Sequence, residues 1–153
     1  MPATSTLNGA LAGAAAAALW AAQQPLDKRV FGSSYDDVRL LGGLFTRGAA
    51  EVPAGLAMHL QNGAVFGAVY VALKPLLPGP PAARGLLMAL AEHLALWPLT
   101  GNRRAFAAAT WRHALFGLAL GALEHRLNRE EPAGPPPASS NGRGSLEATA
   151  VAA

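Results

Sequence analysis

Residues Ala54–Leu73 read AGLAMHLQNGAVFGAVYVAL, an apolar stretch of about the length that a helix needs to cross a bilayer. Polar side chains interrupt this stretch near its start: His59, Gln61 and Asn62. Two later apolar stretches carry polar pairs of their own, Glu92-His93 and Arg112-His113. Ionisable groups inside a membrane are costly and therefore face one another or a cavity. The pattern predicts membrane helices that gather a polar layer within the bilayer.

The composition of the 153-residue chain is typical of a membrane protein built from small residues. The chain is 52% hydrophobic and 14% charged, whereas a soluble domain is about 25% charged. Its 12 basic residues are scattered and do not alternate with aromatic residues, so no nucleic-acid partner is expected. The absence of cysteine excludes disulfides and thiolate chemistry. The lipid bilayer is the expected partner, and a homo-oligomer is compatible with this composition.

The apolar stretches predict an all-α protein, a four-helix transmembrane bundle made of two helical hairpins. The helices are expected at about 7–24, 54–73, 82–100 and 105–126, with a long loop over 25–52. Together, residues 1–128 are predicted to form one integral membrane domain. Residues 129–153 are rich in Pro, Gly and Ser and lack aromatic anchors, so they are predicted to be a disordered tail.

Two segments have a second interpretation. The Ala-rich stretch Leu7–Ala22 resembles the core of a cleaved signal peptide, but no Lys or Arg precedes it, so we expect a retained helix. Within the long loop, Val38, Leu41 and Phe45 share one helical face and predict a short interfacial helix. Gly42-Gly43 weakens any helix there, and an ordered loop is the alternative.

Three of the predicted helices carry two glycines at four-residue spacing, which lets neighbouring backbones approach closely in lipid. The pairs are Gly9/Gly13, Gly63/Gly67 and Gly117/Gly121. A biased composition is the alternative explanation. The polar residues of the second and fourth helices lie on the same helical stripes as these glycines. The glycines therefore predict helix-packing faces, and the polar groups are expected to face protein.

The central polar groups of three helices fall at a similar depth, roughly 9–14 Å from the side that bears the long loop. The predicted layer consists of His59, Asn62, Glu92, His93, Arg112 and His113. We expect Glu92 to pair with Arg112 and the histidines to hydrogen-bond between helices, which would offset the cost of burying charge. Glu124-His125, beside Arg126 at the end of the last helix, is expected to be solvated.

Three interpretations of this layer remain open. The groups could fix helix packing, they could form a proton- or ion-linked site because histidine titrates near neutral pH, or the histidines could ligate a metal or haem. No HxxxH or ExxH spacing occurs, so neither a metal site nor a cofactor is predicted. No Walker, GxGxxG or Ser/His/Asp pattern is present, and the protein is expected to be non-enzymatic.

Each central histidine belongs to a longer pattern. His59 precedes the Gly/aromatic run Gly63–Tyr70, His93 precedes Pro98-Leu99-Thr100-Gly101, and His113 opens a helix that contains Gly117. This layout resembles the YagU-like family of uncharacterised bacterial inner-membrane proteins, although the long loop is shorter here and the N-terminus lacks basic residues. The resemblance implies a multi-pass protein of the bacterial cytoplasmic membrane, with both termini in the cytoplasm, the polar layer nearer the outer face and a link to acid tolerance. Basic residues divide six against five between the two sides, so charge does not assign the orientation.

Overall fold

A computed structural model describes residues 3–96 and 103–129 of the chain, and over these ranges it contains helices and no strand. The five α-helices are α1 (Ala3–Phe31), α2 (Asp37–Gly43), α3 (Glu51–Leu73), α4 (Pro81–Leu96) and α5 (Arg103–Leu127). Short 3-10 turns at Gly48–Ala50 and Lys74–Leu76 flank α3. The all-helical class is therefore confirmed. The predicted disordered tail beyond Arg129, and Pro98–Gly101, lie outside the described residues.

The helices pack as two pairs that are joined through α1. One pair is α1 with α3, the other is α4 with α5, and α1 also packs against α5. The short helix α2 lies on α3. Among the described residues, one helical run is long and apolar enough to cross a membrane, Gly48–Leu76. This run contains the whole of the apolar stretch that predicted the second helix.

The prediction of one long loop over 25–52 is wrong at both ends. Helix α1 continues through Pro25 to Phe31, and α3 begins at Glu51. Proline removes one backbone hydrogen bond from a helix interior, but Asp27 is buried here and accepts a 2.8 Å hydrogen bond from Gln23, one turn earlier. Buried side-chain interactions thus sustain two more turns of α1 than local propensity predicts.

Of the two interpretations of the middle of that segment, the helix is the one observed. Asp36 caps α2 because its side chain accepts a hydrogen bond from the backbone N–H of Arg39 at 2.9 Å. Glycines set the contact between α2 and α3: a Cβ on Gly55 would overlap the Val38 carbonyl oxygen, and one on Gly42 would overlap the Glu51 carbonyl oxygen. The sequence pattern did not identify this glycine contact.

The two glycine pairs of the first hairpin face each other. A Cβ on Gly13 would overlap the carbonyl oxygen of Gly63, and a Cβ on Gly67 would overlap that of Gly9. The α4–α5 contact is similar, with Gly117 and Gly121 against Gly85 and Pro81. Because hydrogen is the only side chain that fits between these backbones, the glycines determine how closely the helices approach.

The distribution of polarity in the bundle is unusual. Each of the five α-helices contributes at least one buried ionisable or amide side chain. These residues are Gln24, Asp27, Asp37, His59, His93, Arg112 and Glu124. Large apolar side chains on the outer faces of the helices are exposed, among them Leu7, Leu11, Val65, Leu87, Leu94 and Leu118. The bundle therefore presents many large apolar side chains outward and encloses several charged ones.

Candidate functional site

Arg112 is fully buried and belongs to a network that joins three segments of the chain. Its guanidinium donates to both carboxylate oxygens of Asp27 at 2.6 and 2.8 Å, and to Asp37 at 3.0 Å. It also donates to the Tyr35 carbonyl oxygen at 3.3 Å, and Trp20 donates its indole N–H to Asp37 at 2.8 Å. We call Arg112, Asp27 and Asp37 the clamp, because it fastens α1 and the start of α2 to α5.

The predicted pairing of Glu92 with Arg112 is wrong. Asp27 and Asp37 occupy the donors of the guanidinium, and Glu92 instead lies 3.1 Å from Nε2 of His113. Helix depth places Glu92 and Arg112 at the same level but does not define which way each side chain points around its helix. Both carboxylates of the clamp lie in the segment that was predicted to be a loop.

The proton arrangement at His113 follows from its partners. Its Nδ1 lies 2.7 Å from the carbonyl oxygen of Ala109, which can only accept, so Nδ1 carries a proton. The contact between Nε2 and the Glu92 carboxylate then requires a second proton, held either on the imidazole or on the carboxyl group. One proton therefore lies between Nε2 of His113 and the Glu92 carboxylate, in addition to the proton that Nδ1 donates to Ala109.

His93 stacks on His113, with ring centroids 4.5 Å apart, and on Phe106 at 5.1 Å. Its Nε2 lies 2.9 Å from the hydroxyl of Thr110. The Thr110 hydroxyl donates to the Phe106 carbonyl oxygen at 2.8 Å, so His93 is the donor in the His93–Thr110 hydrogen bond. Thr110, which the sequence analysis did not single out, thereby assigns the tautomer of His93.

His59 contacts Trp20, as His113 does. The indole makes edge contacts with His59 and His113, with ring centroids 5.3 and 4.6 Å apart. His59 is only 9% exposed, and its Nε2 has no hydrogen-bond partner in the described part of the chain. Asn62 lies about one turn further along α3 and is exposed. Among the described residues, no hydrogen bond joins it to a histidine.

A cavity of about 850 Å³ connects these groups. Its polar lining includes five of the predicted layer residues, and its apolar lining includes three aromatic side chains: His59, Asn62, Glu92, His93 and His113, with Trp20, Phe66 and Phe116. Arg112 does not line it. The predicted layer therefore separates into a buried clamp around Arg112 and a histidine-lined cavity beside it. A volume of this size suits a small organic ligand.

Metal binding was one interpretation of the histidines. Within residues 3–96 and 103–129, no three His, Asp or Glu side chains converge closely enough to hold a metal ion. The stacked arrangement of His93 and His113 turns their ring faces, and not their nitrogen lone pairs, toward each other. The geometry of these residues does not fit a shared metal between them.

The expectation that Glu124 is solvated is wrong. Glu124 is 2% exposed and pairs with Lys74, which follows α3. It also accepts a 2.6 Å hydrogen bond from Asn128, while the adjacent His125 is exposed. The signal was available, because Glu124 continues the stripe of Gly117 and Gly121 by one helical turn. This pair lies on α5 about three turns from His113 and is separate from the cavity.

Tyr35, which lines the cavity, and the neighbouring Asp36 have shifted pKa values. Partial burial alone would raise the pKa of Asp36, but hydrogen bonds from Lys28 and from the Arg39 backbone outweigh it and lower the pKa to about 2. Burial raises the pKa of the Tyr35 phenol, and the neighbouring Asp37 carboxylate raises it further. Asp36 therefore stays ionised and Tyr35 stays protonated near neutral pH.

Comparison of the chain with protein-family models, with curated proteins and with solved structures finds no match. The resemblance to the YagU-like family accordingly stays a prediction.

Proposed function

We propose that the chain is a non-enzymatic, multi-pass protein of a bacterial cytoplasmic membrane in which the His113–Glu92 pair binds and releases a proton at the cavity. The observation that carries the proposal is the hydrogen-bond geometry of His113. Its Nδ1 carries one proton to donate to the Ala109 carbonyl oxygen, and the contact between Nε2 and the Glu92 carboxylate requires a second proton. Membership of the YagU-like family and a role in acid tolerance belong to the same proposal.

The surface of the bundle supports a membrane location. Leu and Val side chains on the outer faces of several helices are 43–60% exposed, including Leu7, Leu11, Val65, Leu94 and Leu118. Lipid solvates such side chains well, whereas a soluble protein of this size rarely exposes so many together. At 1.5 Å per residue, α1, α3 and α5 are each roughly 35–45 Å long, which exceeds a hydrocarbon core of about 30 Å.

The charged residues of α1 and α5 are compatible with this location. They lower the hydropathy of those helices, but Asp27, Arg112 and Glu124 are at most 2% exposed and therefore would not meet lipid. Charged groups in membrane proteins are typically paired within the bundle in this way. Within the part of the chain that the structure describes, the run around α3 is the one that has the hydropathy of a membrane span.

A structural role is the second candidate, and the clamp favours it for Arg112. The guanidinium of Arg112 is fully buried, bonds to Asp27 and Asp37, and does not line the cavity. We therefore assign a packing role to Arg112, Asp27 and Asp37, and restrict the proton-binding proposal to His113 and Glu92.

The test is a pH titration of the histidine ring nitrogens by NMR, with ¹⁵N-labelled protein in lipid nanodiscs. Across the pH range of the titration the His113 nitrogen signals should change, and Glu92→Gln should alter that change, because it removes the carboxylate that contacts Nε2. The matched control is His125→Gln, which alters an exposed histidine away from the cavity. A His113 signal that stays constant over this range, or ignores Glu92→Gln, would show that the pair only fixes packing.

A further inference from the structure

A second cavity, of about 530 Å³, is lined by residues of α1, α2 and α3 and by Asp36. We call it the outer groove, because residues that line it are exposed on the surface of the bundle, among them Ala18, Ala22, Val52 and Leu56. Among the described residues, none lines both this groove and the cavity beside His113. The outer groove is therefore a separate site.

The outer groove has an apolar length. On α3 its lining is Val52, Leu56 and Leu60, which follow one another at four-residue spacing and extend over about 12 Å. Opposite them, α1 contributes small side chains, which are Ala18, Ala21 and Ala22. Small residues on one wall and branched aliphatic residues on the other leave a channel for a hydrocarbon chain, which gains by contact with apolar surface.

The direction of the two helices places the polar lining at one end. Gly9 meets Gly67 and Gly13 meets Gly63, so α1 and α3 run antiparallel. The part of α1 that carries Lys28 therefore lies beside the start of α3. Helix α2 also packs on α3, and its polar lining residues meet α1 at this end, where an ion pair joins them. The groove is thus amphipathic along its length.

Positive charge exceeds negative charge at the polar end. Lys28 and Asp36 form an ion pair at 2.5 Å. The Arg39 side chain is 68% exposed and lies 3.9 Å from Asp36, which is too far for a hydrogen bond. The ammonium group of Lys28 has further N–H donors beyond the one that Asp36 accepts. Among the described lining residues, two cations therefore face one carboxylate, and both cations have donors for an anion.

We propose that the outer groove binds an anionic phospholipid of the phosphatidylglycerol class. Its phosphate contacts Arg39 and the remaining donors of Lys28, and one acyl chain lies along the stripe that contains Leu56. The single charge of a phosphodiester matches the surplus positive charge, and the arginine fork suits phosphate oxygens. A choline headgroup would bring a further cation beside Arg39, so a zwitterionic lipid fits less well.

This inference rests on the membrane location in the proposed function and is independent of the His113–Glu92 pair. Basic side chains at the surface of a bilayer attract anionic lipids, and the polar end of the groove lies where α1 ends and α3 begins. Recovery of the chain in the aqueous fraction without detergent would refute both the membrane location and the lipid site. A chain that needs detergent but does not select the anionic lipid would refute the lipid site alone.

The experiment is native mass spectrometry of the purified full chain in detergent, with dioleoylphosphatidylglycerol and dioleoylphosphatidylcholine added in equal amounts. The anionic lipid should bind about fivefold more tightly, as expected for one basic residue near a lipid phosphate. Inorganic phosphate at matched ionic strength should not displace it, because the free anion has no acyl chain. Equal binding of the two lipids, or displacement by inorganic phosphate, would overturn the proposal.

Arg39→Gln should remove most of the preference for the anionic lipid and leave binding of the choline lipid unchanged. Arg47→Gln is the matched control, because Arg47 is also exposed, lies in the same connection between α1 and α3, and does not line the groove. Equal losses in the two variants would show a general attraction to positive charge and no groove site.

The acyl chain is tested by filling the groove. Ala18→Phe places a ring in the channel and should weaken binding of the anionic lipid at least threefold. Ala15→Phe is the matched control, since Ala15 is exposed on α1 about one turn earlier and does not line the groove. Unchanged lipid binding by Ala18→Phe would refute a chain in the groove.

A measurement on the unsubstituted protein does not depend on how the variants fold. Phosphatidylglycerol that carries a photoreactive diazirine on one acyl chain should cross-link to the groove, at residues such as Ala22, Leu56 and Leu60. Excess unlabelled phosphatidylglycerol should suppress these cross-links, and phosphatidylcholine should not. Cross-links distributed evenly over the exposed side chains of α3, including Val65 and Val69, would show unspecific lipid contact and overturn the assignment.

Discussion

Arg112 donates two parallel hydrogen bonds to Asp27, from Nε to Oδ2 at 2.6 Å and from Nη2 to Oδ1 at 2.8 Å. Their side chains are 0% and 1% exposed, and they connect α5 to the last turns of α1. A bidentate arginine–carboxylate pair has a fixed geometry as well as a favourable energy. This pair therefore fixes the relative positions of α1 and α5 next to the cavity.

Asp27→Asn should destabilise the protein strongly. The amide has nearly the same shape but no charge, so Arg112 keeps only the Asp37 carboxylate as a counter-ion. Removing one partner of a buried ion pair costs about 3–5 kcal/mol, and we expect about 3 kcal/mol because Asp37 remains. Denaturant unfolding in detergent, followed by circular dichroism, measures the change.

The control for this change is Arg39→Gln. Arg39 is 68% exposed on its side chain and lies 3.9 Å from Asp36, so its loss should cost no more than about 0.5 kcal/mol. Equal effects of Asp27→Asn and Arg39→Gln would show that the clamp contributes no more than a surface ion pair.

Lys74 and Glu124 should show strong energetic coupling. Lys74→Met leaves the buried Glu124 carboxylate without its cation and should destabilise the protein by roughly 3 kcal/mol. In the double variant Lys74→Met/Glu124→Gln the uncompensated charge is gone, so most of this loss should be recovered. Unfolding free energies of the wild type, both single variants and the double variant give the coupling energy. Purely additive effects would contradict the pair's importance.

The sequence predicted the parts of the fold that depend on periodicity along one helix. The all-helical class, the apolar span within α3 and the placing of His59 on the stripe of Gly63 and Gly67 all follow from spacing within one segment. Pro25 misled the prediction, because local propensity ends a helix there. The hydrogen bond between Asp27 and Arg112, which lies 85 residues further along the chain, sustains the helix. The stripe through Trp20, Gln24 and Asp27 was the available signal that α1 continues.

The candidate site was predictable as a set of residues but not as a set of pairs. Depth along a helix brought Glu92, Arg112 and His113 to one level. Which of them touch depends on rotation about each helix axis, and that rotation follows from contacts between different segments. Gly42 of α2, Gly55 of α3 and Gly85 of α4 were missed for a related reason, because none of them has a glycine partner at four-residue spacing to mark it.

Gly13→Ala should destabilise the α1–α3 contact. A Cβ at this position would overlap the Gly63 carbonyl oxygen, which is backbone and cannot rotate away, so the helices must separate. Overpacking of this kind costs about 1–3 kcal/mol.

Gly43→Ala in α2 is the matched control, because a Cβ there meets nothing within 4 Å. Alanine is the better helix former, so Gly43→Ala should be neutral or stabilising by up to about 1 kcal/mol. Thermal unfolding in detergent compares the two, and equal shifts would refute a close backbone contact.

The contribution of Asp36 to stability should depend on pH in the acidic range. Its pKa is about 2 in the folded chain, against an ordinary value of 3.8, chiefly because the Lys28 and Arg39 hydrogen bonds outweigh the effect of partial burial. A lowered carboxyl pKa stabilises the fold above the unfolded pKa, and this stabilisation is lost as the pH falls through the folded pKa.

Asp36→Asn removes that titration while keeping a side chain that can cap α2. The stability difference between wild type and Asp36→Asn should therefore be constant from about pH 7 to 5, shrink below pH 4 and vanish near pH 2. Unfolding free energies at each pH give this difference, from which the titration of carboxylates common to both proteins cancels. In a Lys28→Met background the difference should already be smaller at pH 7, because the main hydrogen bond that lowers the pKa is gone. A difference that stays the same from pH 7 to 2 would mean that Asp36 acts only as a neutral cap, without its ion pair to Lys28.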